Sequence, residues 1–299
     1  MEKTLRDKIR ELTAKHLKKY KSQVFGQNLL DVGYVDNTLP KIKKDIVELP
    51  MSDITDGGIV TGAALMNRQP IYIIRYQGYN WLNCIFIVNY ACKSMELWKR
   101  SCKMLIRGIC NEGSIGPVAG SSHISMLYRM PGIKIVSPFT IKEYQKAYRS
   151  FEKDNSVYYF SEHRKSFGLS KEITDYLPSN PDLIVILISV TRLEKKNILE
   201  KNKNKKIAII NLFQLKPFKL SSKIKNYISN SKCKILICDN DFEDGLISIL
   251  SHKINTQFNK KIYGLGLQNK SAGHHPKYDN LPPNSEKITI KIREILKKK

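Results

Sequence analysis

The chain has 299 residues, 51 Lys or Arg against 27 Asp or Glu, and a formal net charge of +24. A hydrophobic share of 41% is more than a disordered chain carries, so the sequence can build cores, and its length predicts about two domains. It has no run of about 18 apolar residues. The best stretch, Ile71–Tyr90, is interrupted by Arg75, Gln77, Asn80, Asn83 and Asn89, so no membrane span is predicted. The N-terminus is a charged amphipathic pattern without the apolar core of a secretory signal, and Glu2, Asp7 and Glu11 argue against a transit peptide. The six cysteines form no C-x-x-C pair and lie mostly in apolar runs. That pattern predicts reduced, buried thiols in a cytoplasmic protein and no zinc site.

In chain order, Leu5, Ile9, Leu12 and Leu17 recur at helical spacing and predict a first helix ending near Tyr20. Gly26–Pro40 reads as loop and turn, and Asp45–Pro50 as a short apolar run. GGIVTGAALM (Gly57–Met66) predicts a helix packed close to another backbone. Ile71–Tyr76 reads as a buried strand, Trp81–Trp98 is long enough for a helix, and Lys103–Arg107 is another strand. A glycine-rich loop follows from Gly108 to His123. Then come a strand at Ile133–Val136, a helix at Ile141–Lys153 and a strand at Val157–Phe160. Alternating strands and helices predict an α/β fold with a mostly parallel sheet. Leu169–Asp182, with two prolines, reads as a linker. A second α/β unit follows, with strands at Leu183–Ser189, Lys206–Leu212, Lys234–Cys238 and Ile262–Leu265, and a closing basic helix at Ser285–Lys299.

The charge invites a nucleic-acid reading. Yet the lysines are spread over both halves, and the densest runs, Lys195–Lys206 and Lys297–Lys299, hold no aromatic residue for base stacking. Enrichment in Ile, Asn and Lys reads as compositional bias with a solvated surface. A basic face for an acidic protein partner is a further reading.

Three segments stand out for chemistry. LPMSDITDGGIVTGAA (Leu49–Ala64) sets a carboxylate ahead of a glycine-rich helix. RYQGYNW (Arg75–Trp81) is a strand end with two tyrosines and a tryptophan. GPVAGSSHIS (Gly116–Ser125) is a glycine/serine loop ending in a histidine. In a parallel α/β sheet such strand ends form the ligand crevice. Each segment alone also has a structural explanation, as an N-cap, a core aromatic or an exposed loop.

In their order and spacing these segments resemble the beta subunit of the 2-oxo acid dehydrogenases, in the transketolase-like thiamine-diphosphate superfamily. The carrying stretches are LPMSDITDGGIVTGAALMNRQPIYIIRYQGYNW, NYACKSMELWKRSCKMLIRG, GPVAGSSHISMLYRMPGIKIVSPFT and DNSVYYFSEHRKSFG. The likeness covers Val47–Gly168 and continues more weakly through INLFQLKPF, ILICDNDFEDG and IYGLGLQ. It implies a pyrimidine-binding thiamine-diphosphate domain over 1–175, a parallel sheet with helices on both faces. A smaller transketolase C-terminal-like α/β domain over 182–299 would follow.

The resemblance also implies a site. A carboxylate hydrogen-bonds the cofactor's aminopyrimidine, promoting the tautomer that generates the nucleophilic carbon, and this position falls on Asp53. The ring-packing aromatic falls on Tyr79, and the histidine that handles proton or acyl traffic falls on His123. The family has glutamate where this chain has Asp53; Asp56 is a rival that needs a three-residue gap. Gly26–Asn28 reads GQN where the family commonly has Gly-Glu-Asp. The family's Gly-Asp-Gly motif, which holds Mg²⁺ and the diphosphate, is missing. The resemblance therefore implies half a thiamine diphosphate site, with Mg²⁺ held mainly by an alpha-type partner in a dimer or alpha2beta2 heterotetramer. It implies no metal ligand in this chain. Decarboxylation or cleavage of a 2-oxo acid or ketone donor, with acyl or aldehyde transfer, is the implied activity. A non-catalytic scaffolding or regulatory homologue and a basic nucleic-acid-binding protein are the alternative readings. His163 is a further candidate for the cleft, and the adjacent His274 and His275 lack further ligands spaced to complete a metal site.

Overall fold

The computed structural model describes residues 2–113, 116–271, 273 and 279–297, with the backbone alone at 116 and 117. His274 and His275 lie outside the described residues. The chain divides into two compact units, Met1–Asn111 with Met126–Glu172, and Glu112–Ser125 with Ile173–Lys299.

The first unit opens on α1 (Leu5–Tyr20). Thr4 and Asp7 form its capping box, the Asp7 amide bonding Thr4 Oγ1 at 3.4 Å and the Thr4 amide bonding Asp7 Oδ2 at 3.0 Å. Strands β1 (Val24–Gly26), β2 (Ile46–Glu48), β3 (Ile71–Ile74), β4 (Met104–Cys110), β5 (Ile133–Val136) and β6 (Val157–His163) pair in parallel, in the order β2-β1-β3-β4-β6-β5. The order reverses between β1 and β3, a topological switch point of the kind where α/β sheets bind ligands. β1 and β2 are three-residue strands in the regions read as loop and as a short apolar run.

Alternation along the strands sends Ile71, Ile73, Leu105, Tyr158 and Phe160 into one core with α1 and the helix Ile141–Glu152. The intervening Tyr72 and Tyr159 face the other way, toward α2 (Asp53–Leu65) and the segment from Asn80 to Trp98. Tyr159 Oη and Asn80 Nδ2 are 2.8 Å apart, and the Tyr72 hydroxyl donates to Asn83 Oδ1. The expected close helix packing is present at Gly57, where an added Cβ would lie 2.1 Å from the Asn83 carbonyl oxygen. The single helix expected over Trp81–Trp98 is instead broken. A short α-turn at Asn80–Asn83 and a π-helical turn at Ile87–Ala91 precede the α-helix Cys92–Trp98.

The second unit is a 4-stranded parallel sheet of β7 (Leu183–Ile188), β8 (Ile207–Leu212), β9 (Lys234–Phe242) and β10 (Ile262–Leu267), in the order β10-β9-β7-β8. Ile288, Ile292 and Ile295, spaced four and three apart on the closing helix Ser285–Lys297, pack on Leu183, Val185 and Leu236. Among the described residues no helix is long and apolar enough to cross a membrane. The six cysteines form no disulfide, and five of them are buried.

Candidate active site

The loops after β1, β2 and β3 bring together Gln27, Asp53 and Tyr79, which line one cavity of about 200 Å³ with Asn28, Met51, Ile74, Arg75, Tyr76 and Asn83. The cavity sits at the carboxyl ends of the strands beside the switch point. Glu48 fixes the first of these loops, accepting from the Leu29 amide at 3.1 Å and the Leu30 amide at 2.6 Å.

Asp53 and Asp56 both stand in the first turn of α2, where negative charge complements the helix dipole. The Gln27 side-chain amide donates to both carboxylates, to Asp53 Oδ1 at 2.9 Å and to Asp56 Oδ2 at 2.6 Å. Asp53 is half-buried and lines the cavity; Asp56 is fully buried. Burial pushes the Asp56 carboxyl up from its ordinary value; the Gln27 hydrogen bond opposes that and the neighbouring Asp53 charge adds to it. Asp56 Oδ1 is buried and has no hydrogen-bond partner among the described residues. The GQN departure thus has a local role. A glutamine amide can donate to two carboxylates, which an ionised glutamate at this position could not.

Tyr79 is partly exposed, and its ring centroid lies 6.3 Å from that of Tyr76 at 56°. Arg75 lies over the Tyr76 ring, 5.4 Å from its centroid. The cavity lining combines carboxylate and amide groups with two tyrosines. That chemistry fits a flat heteroaromatic ring with donor groups. Its volume is below the roughly 300–1,000 Å³ of sites that enclose a whole small molecule, so it fits a fragment of a larger ligand.

His123 belongs to the second unit, in the segment Glu112–Ser125. Its Nε2 is 2.9 Å from Ser121 Oγ, and its ring is 6.1 Å from that of Phe242. Burial lowers the imidazole from its ordinary value, which favours the neutral form able to take up a proton. His163 is buried at the end of β6, with Nε2 3.4 Å from Ser161 Oγ and its ring 5.8 Å from Phe139.

Sequence reasoning missed a buried polar layer around this site. Gln77 donates to the Gly108 carbonyl at 3.0 Å and to Ser161 Oγ at 2.7 Å, and Asn80 and Asn83 bond the tyrosines of β6 and β3. It also missed Arg107 on β4, which is fully buried and forms a fork to Glu162 on β6 with bonds of 2.7 and 2.8 Å. The signal for both was the polar residues inside otherwise apolar strands and after the IYII run.

The fold is transketolase-like. A solved structure described as a split-gene transketolase, an inactive beta4 tetramer, superposes with a TM-score of 0.74, covering 99% of each chain at 10% identity. In sequence the chain is similar to beta subunits of the pyruvate dehydrogenase E1 component. It is 25% identical over 206 residues to the mitochondrial protein of Saccharomyces cerevisiae, covering 61% of this chain and 56% of that one. It is 26% identical over 147 residues to the protein of Bos taurus, covering 48% and 41%. The chain thus spans about half the length of the curated relatives it matches. No model of a known protein family matches it.

Proposed function

We propose that this chain is the beta-like subunit of a thiamine-diphosphate enzyme. It decarboxylates or cleaves a 2-oxo acid or ketone donor and transfers the acyl or aldehyde unit, acting with an alpha-type partner. The observation that carries this reading is the cavity at the sheet's switch point, with Asp53 and Tyr79 on its wall and room for only part of the cofactor. When bound, the cofactor supplies the carbon nucleophile and electron sink for the reaction. Asp53 is the carboxylate toward the aminopyrimidine, and Gln27 orients it by holding Oδ1. Tyr79 covers the ring, and His123 moves a proton as a neutral base. Residues 1–175, apart from the segment Glu112–Ser125 that groups with the second unit, act as the pyrimidine-binding domain, and 182–299 as the transketolase C-terminal-like domain.

The partner holds the diphosphate and Mg²⁺. Two features support it. The described residues 51–98 concentrate exposed apolar groups, among them Ile54, Met66, Trp81, Tyr90, Leu97 and Trp98, as interaction surfaces do. The solved structural relative made of beta chains alone is described as inactive. The undisulfided cysteines are in keeping with a reducing, cytoplasmic setting.

The purified chain alone is expected to show no thiamine-dependent turnover, and adding an alpha-type chain that carries Gly-Asp-Gly…Asn restores it. An assay of 2-oxo acid consumption checks this, and robust turnover by the isolated chain would refute the half-site.

A further inference from the structure

The loop that carries His123 is tied to the end of β9 on both sides of the histidine. We infer that Asp241, supported by Asn240, is the positioning residue for His123, fixing the loop by accepting its backbone amide at Ser125. This deepens the proposed function and rests on its reading of His123.

Asp241 is buried at 1% exposure, and its carboxylate has two backbone donors, the Ser125 amide to Oδ2 at 3.0 Å and the Phe242 amide to Oδ1 at 2.8 Å. On the other side of His123, the Ser122 amide reaches the Asn240 carbonyl at 3.4 Å. The start of the same segment is held as well, since Asn240 Nδ2 donates to Glu112 Oε1 at 2.8 Å. Successive residues of one strand end therefore grip the segment at Glu112, Ser122 and Ser125, and the His123 ring faces Phe242, the next residue of that strand. Gly245 leaves room for this contact. A Cβ there would lie 2.9 Å from Ser125 Oγ and 3.2 Å from Asp241 Oδ2.

A carboxylate kept in such a place needs a reason. Burial, with Asp239 alongside, pushes the Asp241 carboxyl up to about 7, against the pull of the two amides. A site that disfavours the charge and still presents two amides to it is organised around the loop contact rather than around solvation.

The test uses the full chain, with amide hydrogen exchange followed above the titration of Asp241. Asp241→Ala is expected to speed exchange at Ser125 and Ser122 by about 10- to 100-fold, the factor for one lost hydrogen bond to a charged group. Exchange over Leu183–Ile188 stays unchanged, and Asp241→Asn, which keeps one acceptor oxygen, restores part of the protection. Gly245→Ala, which crowds both Ser125 Oγ and the Asp241 carboxylate without removing the charge, loosens the same amides and serves if Asp241→Ala does not fold. Unchanged Ser125 exchange in both variants overturns the positioning. In the reconstituted enzyme, Asp241→Asn lowers kcat with little change in KM, and adds no further loss in a His123→Ala background. Loosened amides with unchanged kcat would leave the anchor standing and remove His123 as the group it serves.

Discussion

Replacing Asp53 with asparagine in the reconstituted enzyme is expected to lower turnover by about 100-fold or more, the scale of a lost acid/base group. The asparagine keeps the shape and still meets the Gln27 amide, but it has neither the charge nor the basicity to support the cofactor's proton transfer. The fold should survive, because Asp53 is half-buried at the start of α2 and carries no part of the core. Asp56→Asn is the matched control. Asp56 shares Gln27 with Asp53 but is fully buried and off the cavity wall. Steady-state rates on both variants decide between them. A larger loss from Asp56→Asn than from Asp53→Asn would move the cofactor-activating role to Asp56 and require the three-residue gap in the alignment.

The second large effect is on stability. Arg107→Met is expected to cost about 3–5 kcal/mol, because it leaves the Glu162 carboxylate buried without its cation. Glu162 sits at 1% exposure, and Tyr144 Oη at 2.8 Å is a neutral donor that cannot replace a guanidinium. Thr38 Oγ1 accepts from Arg107 Nη2 at 2.9 Å and donates to the Val35 carbonyl at 2.8 Å, and it would lose the first of these bonds. The pair, rather than either member, is what the core tolerates, so Arg107→Met with Glu162→Leu should recover much of the loss. Urea denaturation of the unsubstituted chain and the two variants measures this. A cost for Arg107→Met within about 1 kcal/mol of zero, the range of exposed ion pairs, would contradict the account.

The sequence made the apolar skeleton legible, and the reason is periodicity. Runs such as IYII at Ile71–Ile74 and LIVILI at Leu183–Ile188 declare buried parallel strands by themselves, because both faces are covered. The spacing of Leu5, Ile9 and Leu17 likewise declares the buried stripe of α1. The fold class followed from strands alternating with helices, and the family resemblance from motif order.

Polar interior contacts were another matter. Gln77 and Asn80 fall between the expected strand and helix and Asn83 within that helix, and nothing local singles them out, because their partners Gly108, Tyr159 and Tyr72 lie on other strands and are reached only through sheet register. Arg107 closed an apolar run and looked like a strand end, yet β4 continues through Cys110 and encloses it. Local pattern also hid the π-turn at Ile87–Ala91, since its residues have no unusual helix propensity. At the candidate site the segments around Asp53, Tyr79 and His123 were legible as motifs. Gln27 was visible only as a departure from a pattern, and its double hydrogen bond needed three-dimensional proximity across 26 and 29 residues.

The central claim is that this chain supplies one half of a thiamine diphosphate site and depends on a partner for the other. Titration calorimetry with thiamine diphosphate and Mg²⁺ tests it most directly, on the chain alone and on the chain with a Gly-Asp-Gly-bearing partner. The account predicts no measurable binding to the chain alone, and stoichiometric binding to the complex that weakens in Asp53→Asn. Binding of equal strength without the partner, or none with it, would contradict the account, and the second result would mark the chain as a non-catalytic homologue.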